Sequence, residues 1–311
     1  MNNSNKNPIF IIGTGRSGLT PLMNLIAYHR AFAWPSQYNA RWPKIHRVSI
    51  LSRLLEIPPF SSRLKFASHI IPTHAECYEL WNTCFRGFTE PFRDLVADDV
   101  TPYAKSRFQH TVENIMKYQG KSRFIAEYSG WSRIEFIKCI FPEAKFIHIV
   151  RDGRVVAHSF TNVQWWRGWQ GVYNWRWGLP DQDLQEKLKQ YEYSFLALAA
   201  IHWKMLINNI LEKSDLLPEE DLLVVRYEDL VKDPIAEAYR CIEFCGVDKD
   251  CPKFKKHLST VKIVDANKNR FRIPPWKENL NEKQIDMLND ILEKELTLLN
   301  YIGSAVPALS E

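Results

Sequence analysis

Three short stretches carry the residue types that grip and move anionic groups. The first is GTGRSGLT, residues 13–20. Its glycines let backbone N–H groups turn inward, and a helix starting there adds positive potential, so the stretch reads as a phosphate cradle. Gly13-x4-Gly18 has the spacing of the nucleoside-triphosphatase loop, but Leu19-Thr20 stand where that loop requires Lys-Ser/Thr. The cation is Arg16, inside the loop. An arginine fork suits a bidentate grip on one terminal phosphate or sulfate group. Without the lysine, phosphoryl transfer from a metal–nucleotide is poorly supported. The second stretch is FIHIVRDGRVVAHSF, with Arg151 at a strand end and Ser159 eight residues on, about two helical turns later. Together they could hold a second phosphate; alone, the stretch reads equally as a surface Arg–Asp turn with an N-cap. The third is VVRYEDLVKDP, with Tyr227 just past an apolar run.

These residues need a scaffold, and the apolar patterning supplies one. Ile9–Ile12, Phe124–Ala126, Lys145–Val150 and Leu222–Val225 are short apolar runs that read as buried strands. Between them lie helical patterns from Leu22 to His29, over Pro102–Gln119, Arg133–Ile140 and Arg154–Asn162, and over Leu184–Lys213 as one long helix. Thr101 before Pro102 has the form of an N-cap followed by proline at the first helical position. Residues 34–100 predict short helices and long loops, and two or three helices close the chain. Strands alternating with helices of this length predict an α/β fold. It has three layers, with a mostly parallel central sheet flanked by helices, like the phosphate-loop nucleotide kinases. Residues 1–311 then form a single domain, with 1–7 frayed and 163–183 a lid-like loop. Ligands of such sheets bind at the C-terminal strand ends, where the turns after Ile12, Val150 and Val225 lie.

Composition narrows the classes. With 45% hydrophobic and 25% charged residues the chain is ordinary globular protein, not a disordered or fibrous one. A net charge of +5 with no basic run of five or more argues against a nucleic-acid binder and suits an anionic small molecule. The six cysteines include no Cys-x-x-Cys pair, and Cys241 and Cys245, four apart on a predicted helix, share a face and pack rather than bridge. A reduced, cytoplasmic protein is expected, with no signal peptide, no membrane span and no metal site. Five of the eleven tryptophans (Trp165, Trp166, Trp169, Trp175, Trp177) fall in one short stretch with Gly168, Gly171 and Gly178.

The three motifs, in this order and spacing, resemble the sulfotransferase family, which uses 3′-phosphoadenosine 5′-phosphosulfate (PAPS) and releases the 3′,5′-bisphosphate (PAP). The likeness runs from about residue 8 to 302. It is closer to the bacterial and the tyrosylprotein- or carbohydrate-type branches than to the cytosolic aryl type, whose first loop carries lysine. It implies that Gly15, Arg16, Ser17, Gly18, Leu19 and Thr20 wrap the 5′-phosphosulfate, with Arg16 neutralising charge on the leaving oxygen. Leu19 replaces a hydroxyl usual in the family, so backbone N–H must serve there. Arg151 and Ser159 match the pair that grips the 3′-phosphate. Tyr227 matches an aromatic near the adenine, though a core aromatic at a strand end would look the same. Lys268, Arg270 and Arg272 of NKNRFR fall where the family closes its nucleotide site, and a solvated basic loop is the plainer reading of them.

The resemblance also implies in-line transfer of a sulfuryl group to an acceptor hydroxyl or amine, with no metal and with a general base. Family bases are His or Glu on the helical segment between the nucleotide motifs. The candidates are His74, Glu76 and Glu79 in PTHAECYELW, with Glu90 and Asp98 as further ones, and Glu76 best fits the pattern of bacterial relatives. A family lysine is missing from AEYSGW, where Glu127 stands, so Glu127 either marks the loss of that role or serves the acceptor side. The tryptophan loop either lines the acceptor cleft with indoles, which suit sugars, phenols or apolar chains, or packs as a lid over the core. Arg167 and Arg176 within it either hold an anionic acceptor or stack on rings. The acceptor itself, whether small molecule, carbohydrate, lipid or peptide, is left open. The competing readings are a phosphate-loop small-molecule kinase and a nonenzymatic nucleotide-binding protein.

Overall fold

The computed structural model describes residues 7–56, 71–260 and 276–302. Five parallel strands form one sheet in the order β2-β3-β1-β4-β5. They are β1 (Ile9–Gly13), β2 (Phe32–Ala33), β3 (Arg123–Ser129), β4 (Lys145–Val150) and β5 (Leu222–Arg226). Residues of β1 alternate between the two faces, as the period of a strand requires. Ile9 and Ile11 pack with α1 (Leu19–Ile26) on one face, while Phe10 and Ile12 join the aromatic core on the other. Burial on both faces is why the inner strands read as unbroken apolar runs.

After β2 come α2 (Gln37–Arg41), a 3₁₀ stretch His46–Glu56, α3 (Tyr78–Asn82) and α4 (Pro102–Gln119). α4 begins where its sequence says: the Thr101 hydroxyl accepts from the Ala104 N–H at 3.1 Å. α5 (Ile134–Ile140) leads to β4, and α6 (Gly153–Phe160) follows it, its first turn capped by the Asp152 carboxylate on the Arg154 N–H at 2.9 Å. The chain then runs through the tryptophan segment, with a 3₁₀ turn at Arg167–Gln170, to α7 (Gln182–Gln190) and α8 (Phe195–Ser214). α9 (Tyr227–Lys232), α10 (Pro234–Phe244), α11 (Pro252–Thr260) and α12 (Glu282–Leu298) complete it.

Two expectations are corrected. The single helix over Leu184–Lys213 is two helices. Glu192 and Tyr193 take left-handed backbone angles, φ 53° and 57°, and turn the chain between α7 and α8. Apolar periodicity runs through both pieces, so the pattern hid the turn. The strand at Leu222–Val225 is not buried as a whole. β5 pairs only with β4, at the sheet edge, and Val224 is 44% exposed. Cys241 and Cys245 are buried, and all six cysteines are free. Lys268, Arg270 and Arg272 lie outside the described residues.

The chain leaves β1 toward β2 and β3, and leaves β4 toward β5. The strand order therefore switches between β1 and β4, which puts the turns after these two strands on either side of one crevice.

Candidate active site

The turn after β1 is shaped by its glycines and by Arg16. Gly18 caps α1 at φ +107°, and a Cβ there would sit 2.4 Å from the Tyr227 ring. Arg16 itself has φ +68°, a conformation that costs a non-glycine residue free energy and is concentrated at functional turns. The Ser17 hydroxyl donates to the Thr14 carbonyl at 2.7 Å, so it stiffens the loop from inside. The Leu19 side chain is buried in the core with β1. The N–H groups that open α1 have no partner within their own helix, and Arg16 and Thr20 are exposed.

The second turn meets the first. Arg16 Nε donates to Ser159 Oγ at 2.8 Å, and Arg151 Nη1 donates to the Arg16 carbonyl at 3.1 Å. The Arg151 guanidinium lies 4.1 Å from the centre of the Tyr227 ring. Arg151 is 8% exposed, and its Nε and Nη2 have no hydrogen-bond partner among the described residues. Burial draws its affinity for protons below the ordinary arginine value, while Tyr227 and Glu228 act in the opposite direction. A buried cation with unsatisfied donors is costly unless an anion completes it. Behind the turn, Asp152 pairs with Arg154 at 2.8 Å, and Tyr301 donates to Glu228 at 2.9 Å, which docks the end of α12 against this edge. Four residues from three motifs, Arg16, Arg151, Ser159 and Tyr227, thus form one cluster.

On the other side of β1 stands a second cluster. Ser129 pairs in register with Gly13, and the Gly130 N–H donates to the Gly13 carbonyl at 3.1 Å. Ser129 Oγ donates to Glu76 Oε2 at 2.9 Å, and the Tyr78 hydroxyl donates to the same oxygen. The helical position expected for Glu76 is corrected: it lies on the stretch before α3, which starts after Cys77 at φ 52°. Burial pushes its carboxyl above the usual carboxylate range, and the charge of Glu127 adds to the push, against the hydrogen bonds from Tyr78 and Ser129. His74 Nδ1 donates to Glu127 Oε1 at 2.9 Å, and its Nε2 edge meets the Asn24 amide oxygen at 3.0 Å. Both ring nitrogens are therefore engaged, which leaves His74 poorly placed to take a proton from an acceptor. Glu79 and Asp98 are exposed, and Glu90 is paired with Arg176.

The tryptophan segment divides. Trp166, Trp175 and Trp177 are buried around His202, whose Nδ1 accepts from Trp166 Nε1 at 3.1 Å. Burial pushes His202 down to about 3, so it is a neutral packing residue at ordinary pH. Trp165 and Trp169 remain about half exposed, at 47% and 52%. Trp165 lies over the first loop, since a Cβ on Gly15 would meet its ring at 2.9 Å; Trp177 covers Gly130 in the same way, at 2.8 Å. Arg176 lies over the Trp177 ring and pairs with Glu90, so it is held by those partners. The segment is thus part lid over the core and part wall beside the loop. Sequence reasoning did not reach Asn24, Tyr78, Ser129 or His202. Tyr78 and Ser129 lay within stretches already singled out, but nothing local marks either as a partner of Glu76.

Among the described residues no group of three or more His, Cys, Asp or Glu is placed to hold a metal, and no helix is long and apolar enough to cross a membrane.

The model of a sulfotransferase family matches residues 8–250. An omega-hydroxy-beta-dihydromenaquinone-9 sulfotransferase, Stf3 of Mycobacterium bovis, is 22% identical over 274 residues, 81% of this chain and 66% of that protein. The Mycobacterium tuberculosis protein of the same name matches equally. The chain therefore spans just under two thirds of these relatives. Among solved structures, sulfotransferase STF9 from Mycobacterium avium superposes with a TM-score of 0.56 at 14% identity, covering 94% of this chain and 77% of that one. STF1 from M. tuberculosis gives 0.56 at 12% identity, covering 93% and 77%. The fold is that of these enzymes, and the match to the family model over most of its length shows that the chain belongs to the sulfotransferase family.

Proposed function

We propose that the protein transfers the sulfuryl group of PAPS to a hydroxyl acceptor by in-line displacement. The observation that carries this reading is Arg151: a buried guanidinium with two unsatisfied nitrogens, tied to Arg16 of the glycine loop. A ligand with two separate anionic groups satisfies both arginines, and PAPS carries a phosphosulfate at one end and a 3′-phosphate at the other. Arg16 and the N–H groups opening α1 bind the phosphosulfate, and Arg151 with Ser159 binds the 3′-phosphate. Because Arg16 bonds to Ser159, donor binding redirects that bond, and Arg16 turns toward the leaving oxygen.

The acceptor oxygen forms the new O–S bond as the S–O bond to the 5′-phosphate breaks. Its proton passes to Glu76, which sits against Ser129 beside Gly13. A carboxylate with raised proton affinity is a stronger base than an ordinary one. The leaving phosphate oxygen gains charge, which Arg16 and the helix N-terminus stabilise. The mycobacterial relatives are named for a hydroxylated menaquinone acceptor. Trp165, half exposed over Gly15, offers this chain an apolar wall for an acceptor of similar character.

Thermal shift with PAP against Mg-ATP tests the donor: PAP stabilises, and a response to Mg-ATP alone overturns the reading. With labelled PAPS and a panel of hydroxylated acceptors, Glu76→Gln lowers turnover by about 10²–10⁴-fold and leaves PAP binding intact. Full turnover by that variant removes Glu76 from the base role.

A further inference from the structure

The stretch before α3 is fastened to β3 at two points with matching spacing. His74 bonds to Glu127 at 2.9 Å, and Glu76 bonds to Ser129 at 2.9 Å. Residues 127 and 129 lie two apart on a strand, so their side chains share a face of the sheet. Residues 74 and 76 keep the same interval in an extended stretch, in which His74 also bridges Ser36 in antiparallel fashion. The result is two side-chain rungs between one strand and one strap. The outer rung holds the base candidate at the level of Gly13, where the glycine loop begins. The inner rung is the more deeply buried: the side chains of His74 and Glu127 are 3% and 2% exposed.

We propose that His74 and Glu127 are positioning residues for Glu76, their bond setting the register in which Glu76 meets Ser129 beside the sulfuryl-binding loop. The proposal rests on Glu76 being the base. It accounts for a glutamate on β3 at a place where a surface role is impossible, since Glu127 Oε2 is buried without a partner among the described residues. Truncating His74 leaves the Glu127 carboxylate buried and unpaired, and frees the strap to slip. Glu127 also acts through space, because its charge faces Glu76 and strengthens the hold of Glu76 on a proton. The other titratable groups facing these two carboxylates are Tyr78 on α3, Arg133 at the start of α5, Cys77 on the strap and Tyr28 after α1. His257 of α11 packs at a tilt against Tyr28, one ring further out.

The test is a ¹³C NMR titration of the full chain labelled at the glutamate carboxyl carbons, with the Glu76 resonance identified by its loss in Glu76→Gln. Glu127→Gln keeps an acceptor for His74 but removes the charge, so the Glu76 midpoint falls. In His74→Ala the rung is gone, and the Glu76 resonance loses the shift that marks its bonds to Ser129 and Tyr78. His74→Gln, which can still donate to Glu127, restores it. A PAP thermal shift equal to wild type shows that each variant is folded around its donor site. An unmoved Glu76 resonance in both Glu127→Gln and His74→Ala overturns the proposal. Should Glu76→Gln keep full turnover while the midpoint moves as described, the base assignment fails and the positioning role with it, although the coupling stands.

Discussion

The two sides of β1 are built differently. On one side, the clustered Arg16, Arg151 and Tyr227 come from turns that directly follow strands: the loop after β1, the turn after β4 and the turn after β5. Their positions are fixed by the sheet. On the β3 side, Glu76 is held by Tyr78, two residues along the chain, and by Ser129, fifty-three positions away. Ser129 comes from β3 and Tyr78 from α3, while Trp177 covers Gly130 next to Ser129. A parallel sheet delivers strand ends to one edge whatever the loops do, so this cluster is placed by local rules. The Glu76 cluster depends on straps packing correctly, which allows it to vary while the sheet stays the same.

Three substitutions separate the sides, from the largest effect to the smallest. Arg151→Ala removes a buried charge-assisted partner and weakens PAP by roughly a hundredfold, about 3 kcal/mol, in calorimetry. The Glu76 and His202 environments stay as they were. Comparable loss from a change at Trp177 would erase the distinction between the sides. Gly18→Ala forces an alanine into φ +107° with its Cβ 2.4 Å from the Tyr227 ring. It costs about 1–3 kcal/mol of stability, seen as a melting temperature several degrees lower, with weaker PAP binding because the loop and Tyr227 must part.

The smallest effect belongs to the tryptophan segment and appears as pH dependence. His202 is held neutral by burial, its value pushed from 6.5 down to about 3. The unfolded chain therefore takes up a proton below about pH 6.5 that the folded protein refuses. Stability is full above that pH and declines as pH falls toward the folded value. His202→Phe fills the same aromatic niche and removes this contribution. The fall in unfolding free energy between pH 6.5 and 4.5 becomes shallower, by up to about 1.4 kcal/mol per pH unit. An unchanged slope would mean that His202 is not the group that titrates.

The parts legible in the sequence share one property: their partners are close in sequence or their backbone demands are local. The Thr101 cap with Pro102, the Asp152 turn, and the strand Lys145–Val150 were all readable. The failures have the opposite cause. The break at Glu192–Tyr193 carries no glycine or proline to signal it, since two ordinary residues adopt left-handed angles. In sequence Glu127 marks either a lost lysine role or an acceptor-side one, and nothing local points to its bond with His74, fifty-three positions away. The tryptophans read as one cluster because they are neighbours in sequence. Three of them turn inward around His202, while Trp165 and Trp169 stay half exposed.

The sequence alone determined the alternation of strands and helices, the glycine turn with Arg16, and the placing of Arg151, Ser159 and Tyr227 on elements that converge at one edge. Periodicity and turn chemistry act over a few residues, so they are written locally. Tertiary structure alone decided that Arg16 meets Ser159, that Glu76 leaves the helix to sit against Ser129, and that His74 is occupied by Glu127. Those are contacts between segments brought together by burial, and burial is a property of the whole packed core rather than of any stretch of it.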